Sequence, residues 1–139
     1  MKKSNDKGVT LPHLIKGKVV YGRGRGKLLG FPTANIGVGK ATPEGVFRAT
    51  VLWEEKEFPA ITFVGASQTF NEKTVKAETH IFDFKDNIYN QTITVVLFEK
   101  IREPKKFVSK TDLINQIRKD IQQAKSYHDL VARDYLREQ

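Results

Sequence analysis

The feature that most constrains the fold is a succession of short β-prone runs between Val46 and Arg102, separated by turn residues. Each run is rich in β-branched and aromatic residues, which favour pleated, half-buried strands. The acidic sequence EEKE (residues 54–57) predicts a hairpin between the first two runs, and DNIYNQ (residues 86–91) predicts a turn before the last. The predicted strands are VFRATVLW (46–53), FPAITFVG (58–65), TVKAETHIFDF (74–84) and TITVVLFEKIR (92–102).

The residues before these strands give weaker signals. KGKVVYG (residues 16–22) is a further β-prone run bounded by glycines, and residues 1–14 are predicted to be a loose lead-in. Residues 23–44 are rich in glycine and contain Pro32 and Pro43, so we predict mostly loop there. A loop of that length inside a compact domain is often functional.

The hydrophobic period changes after the last strand. In SKTDLINQIRKDIQQA (residues 109–124) the apolar residues recur at helical spacing, and Ser109 with Asp112 has the spacing of an N-terminal cap. A second helix is predicted from about Ser126 to Leu136. The apolar positions that define the first helical face are Leu113, Ile114, Ile117 and Ile121.

Strands first and helices last indicate an α+β fold that is mainly β. About five or six strands at this spacing favour a small antiparallel barrel or sandwich. We therefore expect one domain over residues 1–139, with C-terminal helices over residues 109–138 packed beside or over the strands.

Composition excludes several classes of protein. The 139 residues include no cysteine, which rules out disulfides, thiolate catalysis and cysteine-ligated zinc or iron. No apolar run approaches the ~20 residues that cross a bilayer, so we expect no membrane association. The absence of cysteine and of a recognisable signal peptide favours a cytoplasmic location. We expect the protein to be a monomer.

The chain is basic: 24 lysines and arginines against 16 acidic residues give a net charge of +8. Such a charge concentrates anions, including nucleic acids, anionic lipids and nucleoside phosphates, without choosing among them. Surplus lysine on a solvated surface explains the charge equally well.

The loop GRGRGKLLG (residues 22–30) is the first candidate site. Its glycines would let the backbone approach phosphate oxygens, and Arg23, Arg25 and Lys27 would add charge. The P-loop and dinucleotide-binding patterns are both absent. Spacing alone favours a flexible basic loop over a phosphate site.

The sequence FPTAN (residues 31–35) is the second candidate. Pro32 favours extended geometry around it, which would place Thr33 and Asn35 on one side. A hydroxyl and an amide carbonyl are suitable ligands for Mg²⁺. A local turn in which both side chains bind nearby backbone is the alternative, and composition does not separate the two.

Glu78 is the third candidate. In VKAETHIF (residues 75–82), Lys76, Glu78 and His80 form the polar face of the predicted strand. The alternation alone favours an exposed carboxylate, whereas the functional alternative is a general base beside a bound hydroxyl.

Other kinds of site find little support. His13, His80 and His128 lack metal-ligand spacing, and no nucleophile motif is visible. We expect Phe31, Phe98 and Phe107 to lie in the core rather than to form a stacking platform.

Four stretches taken in order resemble the ATP-dependent riboflavin kinases, over residues 16–124. GFPTAN after a glycine-rich loop is quite specific, and the glutamate-bearing strand and the helical tail follow at the expected distances. Many bacterial members form the C-terminal half of a bifunctional riboflavin kinase/FAD synthetase. The stretches are GKVVYGRGRGKLLGFPTANI (17–36), PEGVFRATV (43–51), VKAETHIFDF (75–84) and KIREPKKFVSKTDLINQIRKD (100–120).

The resemblance implies a six-stranded antiparallel Greek-key barrel with C-terminal helices. It also implies transfer of the γ-phosphoryl group of ATP to the 5′-hydroxyl of riboflavin, giving FMN and ADP. Glu78 would then be the general base, facing the site despite the alternation, and Thr33 and Asn35 would hold Mg²⁺. A flavin-side lid would lie at residues 102–113. The implied nucleotide- and flavin-binding residues are Gly22, Gly24, Gly26, Lys27, Phe31, Pro32, Thr33, Asn35, Arg102, Phe107 and Leu113.

The sequence departs from the family's usual pattern at a few positions. Gln68 stands where proline is common, and Asn90 stands where glycine usually follows the tyrosine. In the lid segment, Glu103 and Pro104 stand where the family more often reads Arg-x-Glu-x-x-Phe. No adenylyltransferase HxGH motif occurs, so this chain is predicted to stop at FMN. Two alternatives remain: a small basic barrel that binds single-stranded nucleic acid, and a degenerate module that binds flavin without kinase activity.

Overall fold

The computed structural model describes residues 11–20, 32–39, 41–66 and 75–137. Within these ranges the chain forms six strands and one helix. They are β1 (His13–Lys18), β2 (Ala34–Gly37), β3 (Gly45–Trp53), β4 (Lys56–Ala66), β5 (Val75–Ile81), β6 (Thr92–Arg102) and α1 (Lys110–Arg137).

The strands form one antiparallel sheet in the order β1-β6-β3-β4-β5-β2. Strands β3, β4 and β5 are successive neighbours, and β6 returns beside β3, which is a Greek-key arrangement. At the two sheet edges, the Val20 amide donates to the Asn35 carbonyl at 2.9 Å. This bond nearly closes the sheet into a barrel and confirms the predicted fold class.

The β3–β4 hairpin forms where the sequence EEKE predicted it. Glu54 and Glu55 both have positive φ, at 51° and 63°. Two such residues in a two-residue loop match the twist of the flanking strands. The register that follows pairs Phe63 of β4 with Val46 of β3, which fixes what each face of these strands can bury.

Two hydrophobic clusters lie on opposite sides of the barrel wall. The larger fills the barrel interior, with Phe47, Ile36 and Val95 almost fully buried. The second lies outside, where Ile117 and Ala124 of α1 pack against Ile61, Phe63, Phe82 and Val46. Because α1 covers this wall, β3 and β4 are buried on both faces over much of their length.

The prediction of two C-terminal helices is wrong, since α1 runs without a break through 28 residues. No glycine or proline interrupts it, and Ser126 Oγ donates to the Gln122 carbonyl at 3.1 Å, within the helical turn. The predicted cap is confirmed: Ser109 Oγ accepts from the Asp112 amide at 3.1 Å.

Three segment boundaries also differ from the predictions. Strand β1 begins at His13, inside the predicted lead-in, because burial of Ile15 anchors it to the core. Strand β2 occupies part of the predicted loop, where Ile36 fills the barrel. Strand β5 ends at Ile81, three residues early, and Asp83 beyond it has a φ of 54° that no strand adopts.

Candidate active site

Strands β2 and β5 bring two of the candidate residues together. Asn35 of β2 is the direct cross-strand partner of Glu78 of β5. Directly opposed residues of an antiparallel pair point to the same face, with their Cβ atoms about 5 Å apart. Asn35 is 4% exposed, so its amide lies beside the carboxylate in a largely dry environment.

Glu78 faces the outside of the barrel on the side that α1 covers. Its partner on β4 is Phe63, a member of the outer hydrophobic cluster, while Ala77 packs in the barrel interior. The alternation therefore identified the polar face of β5 correctly. The expectation of an exposed carboxylate is wrong: Glu78 is half-buried and its Oε2 atom is shielded from solvent, in a position between Asn35 of β2 and Phe63 of β4.

A cleft of about 710 Å³ opens in front of Glu78. Its walls come from the beginning of β3, the ends of β4 and β6, the middle of β5, and the segment that leads from β6 into α1. The side chains that line it include Glu44, Phe63, Lys76, Glu78, Arg102, Lys105, Phe107 and Leu113. Three residues of the predicted flavin side, Arg102, Phe107 and Leu113, thus share one cleft with Glu78.

The cleft is basic. Lys76, Lys105, Lys106 and Lys110 line it together with Arg102, against the carboxylates of Glu44 and Glu78. A concave surface with an excess of one charge attracts ligands of the opposite charge, here anions.

An aromatic ring supplies the apolar part of the same cleft. Phe107 is half-buried, with the Arg102 guanidinium and the Lys105 ammonium each 5.6 Å from its ring centre. The expectation that Phe98 and Phe107 lie in the core is wrong, since both are half-buried. Phe98 instead packs under the guanidinium of Arg48, 4.3 Å from its ring centre.

Arg102 is fixed by a carboxylate that the sequence analysis missed. Its Nη2 donates to Asp120 Oδ2 at 2.8 Å, and its Nε lies 3.0 Å from both carboxylate oxygens. Asp120 is 1% exposed, and Gln116 Nε2 donates to its Oδ1 at 3.0 Å. The available signal was the helical period, which places Asp120 on the same buried stripe as Ile117 and Ala124.

Backbone geometry brings the beginning of β3 close to Arg102, which lines the cleft. The β3–β6 pairing shifts register after Val46, the partner of Arg102, and such bulges re-aim side chains. Gly45 has a φ of 140°, and a Cβ there would lie 2.8 Å from the Arg102 carbonyl oxygen. Only glycine lets β3 approach the end of β6 this closely.

A second network ties α1 to the barrel away from the cleft lining. The buried Arg48 pairs with Glu99, with Nε 2.5 Å from Oε2, and its Nη1 lies 3.3 Å from His128 Nδ1. His128 Nε2 donates to the Ala60 carbonyl at 3.1 Å. The sequence analysis assigned no role to His128, because its partners lie far away in the chain.

The two titratable groups of this network are shifted. Burial lowers the pKa of His128, and the Arg48 charge adds to that effect, while the hydrogen bond to Ala60 opposes it. Partial burial alone would raise the pKa of Glu99, but the hydrogen bonds and charge of Arg48 outweigh it and hold the pKa below its usual value.

Of the remaining candidate residues, Pro32 and Thr33 lie in the described part of the chain. Pro32 is exposed and its carbonyl accepts from His80 Nδ1 at 3.0 Å, while Thr33 is half-buried next to β2. Gly22, Gly24, Gly26, Lys27 and Phe31 lie outside the described residues, as does Gln68.

The candidate residues Thr33, Asn35 and Glu78 carry oxygen donors that suit a hard cation, and the strand pairing brings Asn35 and Glu78 together. A threonine hydroxyl, a buried asparagine carbonyl and a carboxylate are oxygen ligands of the kind that Mg²⁺ takes. Over the part of the chain that the structure describes, no cluster of three or more histidine or acidic side chains could bind a metal by itself.

None of the described residues belongs to a helix long and apolar enough to cross a membrane.

Comparisons with known proteins identify the family of this chain. Residues 9–128 match the family model described as "Flavokinase: Riboflavin kinase". A bifunctional riboflavin kinase/FMN adenylyltransferase of Buchnera aphidicola is 37% identical in an alignment of 125 residues that covers 86% of this chain and 40% of the relative. The chain thus spans well under half the length of that relative.

Two solved structures share the fold. A riboflavin kinase from Trypanosoma brucei superposes with a TM-score of 0.56 at 26% identity, covering 82% of this chain and 78% of that one. A protein from Streptococcus pneumoniae described as a macrolide-efflux protein superposes with a TM-score of 0.71 at 32% identity, covering 82% and 38%. Because the family match spans most of the chain and a riboflavin kinase structure shares its barrel fold, the chain belongs to the riboflavin kinase family.

Proposed function

We propose that this chain is an ATP-dependent riboflavin kinase that transfers the γ-phosphoryl group of ATP to the 5′-hydroxyl of riboflavin. The products would be FMN and ADP. The observation that carries the proposal is that Glu78 lines a basic cleft and is paired across the strands with the buried Asn35, in a member of this family. The size of the cleft, about 710 Å³, is typical of a small-molecule site.

Glu78 would act as the general base. As the ribityl oxygen forms its bond to the γ-phosphorus and the bond to the ADP oxygen breaks, the hydroxyl proton passes to the Glu78 carboxylate. Shielding of Oε2 from solvent keeps bulk water away from one carboxylate oxygen. The strand pairing with β2 holds the side chain in place, so little reorganisation is needed during the reaction.

Thr33 and Asn35 would hold Mg²⁺. When bound, the ion would neutralise charge on the ATP phosphates. Both proposed ligands are neutral, so they would leave the ion its full charge for the substrate. Asn35 is buried directly opposite Glu78, so the proposed metal ligand and the proposed base belong to the same pair of strands.

The two substrates would occupy different parts of the site. Phe107 and Leu113 offer apolar surface for the flavin ring system, and Arg102 lies next to them. The nucleotide phosphates are assigned to Gly22, Gly24, Gly26 and Lys27, next to Phe31 and Pro32, because glycine amides and a cation suit phosphate oxygens. This assignment rests on the family resemblance.

Replacing the proposed base tests the proposal. Glu78→Gln keeps the shape of the side chain and removes its basicity, so kcat for FMN formation should fall by about 100-fold or more. The KM values for riboflavin and ATP should change much less, because the variant still fills the cleft wall. Steady-state kinetics with chromatographic detection of FMN gives both parameters.

Glu44→Gln is the matched control, since Glu44 is the other carboxylate that lines the cleft among the residues that the structure describes. Its kcat should stay within about threefold of wild type. If Glu78→Gln retains the wild-type kcat, Glu78 is not the base, and if both variants lose activity equally, the loss reflects cleft charge.

A further inference from the structure

The segment that connects β6 to α1 forms one wall of the cleft with little support of its own. Residues 103–109 contain no helix or strand, and Pro104, Lys105 and Lys106 are exposed. Phe107 is the half-buried residue of this segment, and it lines the cleft. Something other than regular backbone hydrogen bonding therefore has to hold this wall in place.

Arg102 supplies that support through its whole side chain. Its Nη1 donates to the Glu103 carbonyl at 3.2 Å, and its guanidinium lies over the Phe107 ring. Its remaining donors, Nε and Nη2, are directed at Asp120. The Arg102 side chain thus joins Asp120 on α1 to two points of the cleft wall, the Glu103 carbonyl and the Phe107 ring.

Asp120 determines where the guanidinium lies. It is almost fully buried, faces Arg102 with both oxygens, and receives a third donor from Gln116 one helical turn earlier. A two-pronged contact between arginine and a carboxylate fixes direction as well as distance. Without the carboxylate charge, the guanidinium would be left partly buried beside a neutral group and would turn toward solvent.

We propose that Asp120 is a positioning residue for the flavin: through Arg102 it holds Phe107 and the 103–109 wall at the cleft. This inference rests on the proposed function, since it assigns the wall to the flavin rather than to the nucleotide. Neither Asp120 nor Gln116 lines the cleft, whereas Arg102 does, so we expect the effect of Asp120 on flavin binding to pass through Arg102. The competing explanation is that the pair only attaches α1 to the barrel.

The Arg48–Glu99 pair separates these explanations. It joins β3 and β6 and reaches α1 through His128, yet none of these residues lines the cleft. Glu99→Gln should therefore weaken helix attachment without moving the wall. It is a matched control for Asp120→Asn, because each change removes one carboxylate charge from an arginine and preserves side-chain shape.

The experiment measures riboflavin affinity by quenching of flavin fluorescence, together with KM values and thermal unfolding. Asp120→Asn should raise the Kd for riboflavin about tenfold, equivalent to about 1.4 kcal/mol, with kcat at saturating flavin and KM for ATP within about threefold of wild type. Glu99→Gln should lower Tm and leave the riboflavin Kd within about twofold.

A double-mutant cycle tests the route through Phe107. If Asp120 acts through that ring, the Phe107→Leu variant should bind riboflavin weakly and adding Asp120→Asn should weaken it by about twofold or less. An Asp120→Asn substitution that raises the riboflavin Kd by the same factor in the Phe107→Leu background as in wild type would overturn the proposal. So would an Asp120→Asn protein with wild-type riboflavin affinity, or equal losses in Asp120→Asn and Glu99→Gln.

If Asp120→Asn does not fold, Arg102→Lys provides a second test. Lysine keeps a cation opposite Asp120 but lacks the guanidinium that contacts the Glu103 carbonyl and the Phe107 ring. This substitution should also raise the riboflavin Kd, and an unchanged Kd would overturn the proposal. Wild-type protein that neither binds riboflavin nor makes FMN would overturn this inference and the proposed function together. Active wild type with an unaltered Asp120→Asn variant would overturn this inference alone.

Discussion

At the scale of single residues, the site depends on side chains that the strand pairing places next to each other. Thr33 and Asn35 were predicted to share a side, and Glu78 was predicted on the polar face of its strand. The structure adds that Asn35 is buried and directly opposes Glu78. A buried amide needs polar partners, which gives the Asn35 position a physical reason beyond turn geometry.

Asn35→Ala should raise the Mg²⁺ concentration that gives half-maximal FMN formation by about tenfold, because one proposed oxygen ligand is lost. A Mg²⁺ titration at saturating riboflavin and ATP measures the change. Asn115→Ala, at an exposed position on α1, is the matched control and should behave as wild type. Equal Mg²⁺ dependence in wild type and Asn35→Ala would remove Asn35 from the proposed metal site.

Sequence reasoning reached part of this site and missed the rest for identifiable reasons. Alternation along β5 gave the face of Glu78 but not its burial, because the elements that shield it are distant in the chain. Asp120 was missed because its partner, Arg102, becomes a neighbour only after α1 folds back on the barrel. Local patterns report periodicity, whereas such pairs depend on tertiary register.

At the scale of elements, α1 serves as an outer wall for the barrel and a support for the cleft. Its buried stripe covers β3 and β4, and Asp120 and His128 fix it at two points about two turns apart. The strands were predictable from alternating hydrophobicity, but the continuity of α1 was not, since polar residues around Ser126 weaken the helical pattern. Strand β2 was missed because glycine and proline composition favours a loop.

One departure from the family pattern has a local explanation in the turn before β6. Asn90 has a φ of 69°, in the left-handed region that glycine favours. Asparagine tolerates this region better than most residues. The turn can therefore keep its geometry without the glycine usually found there.

The attachment of α1 at His128 should depend on pH. Because burial lowers the pKa of His128, the folded protein favours the neutral ring, whereas the unfolded chain binds a proton near pH 6.5. Stability from this group is therefore complete above about pH 6.5 and is lost as the pH falls below it. The lowered pKa of Glu99 acts in the same direction in a more acidic range.

Thermal unfolding between pH 7.5 and 5.5 checks this expectation, with His128→Gln as the comparison. The glutamine amide can still donate toward the Ala60 carbonyl but does not titrate. The Tm of the variant should therefore fall less than that of wild type between pH 7.5 and 5.5. His13 and His80 remain in both proteins, so the difference between the two profiles isolates His128. Parallel profiles would show that His128 does not set this dependence.

At the scale of the whole molecule, the barrel holds the proposed catalytic wall and α1 holds the proposed flavin wall. Part of the net charge of +8 is concentrated in one place, since several basic side chains line the cleft that contains Glu78. The fold class was predictable because strand spacing, turn chemistry and the late helical period agree with one another. The cleft itself was not, because strands β3, β4, β5 and β6 and the segment before α1, which lie far apart in the sequence, meet there only in the folded chain.

The measurement that tests the account most directly is incubation of the purified 139-residue chain with riboflavin, ATP and Mg²⁺, followed by chromatographic separation of the flavins. We expect ATP-dependent accumulation of FMN with equimolar ADP, its loss when a chelator removes Mg²⁺, and no FAD. Folded protein that forms no FMN under these conditions would contradict the account.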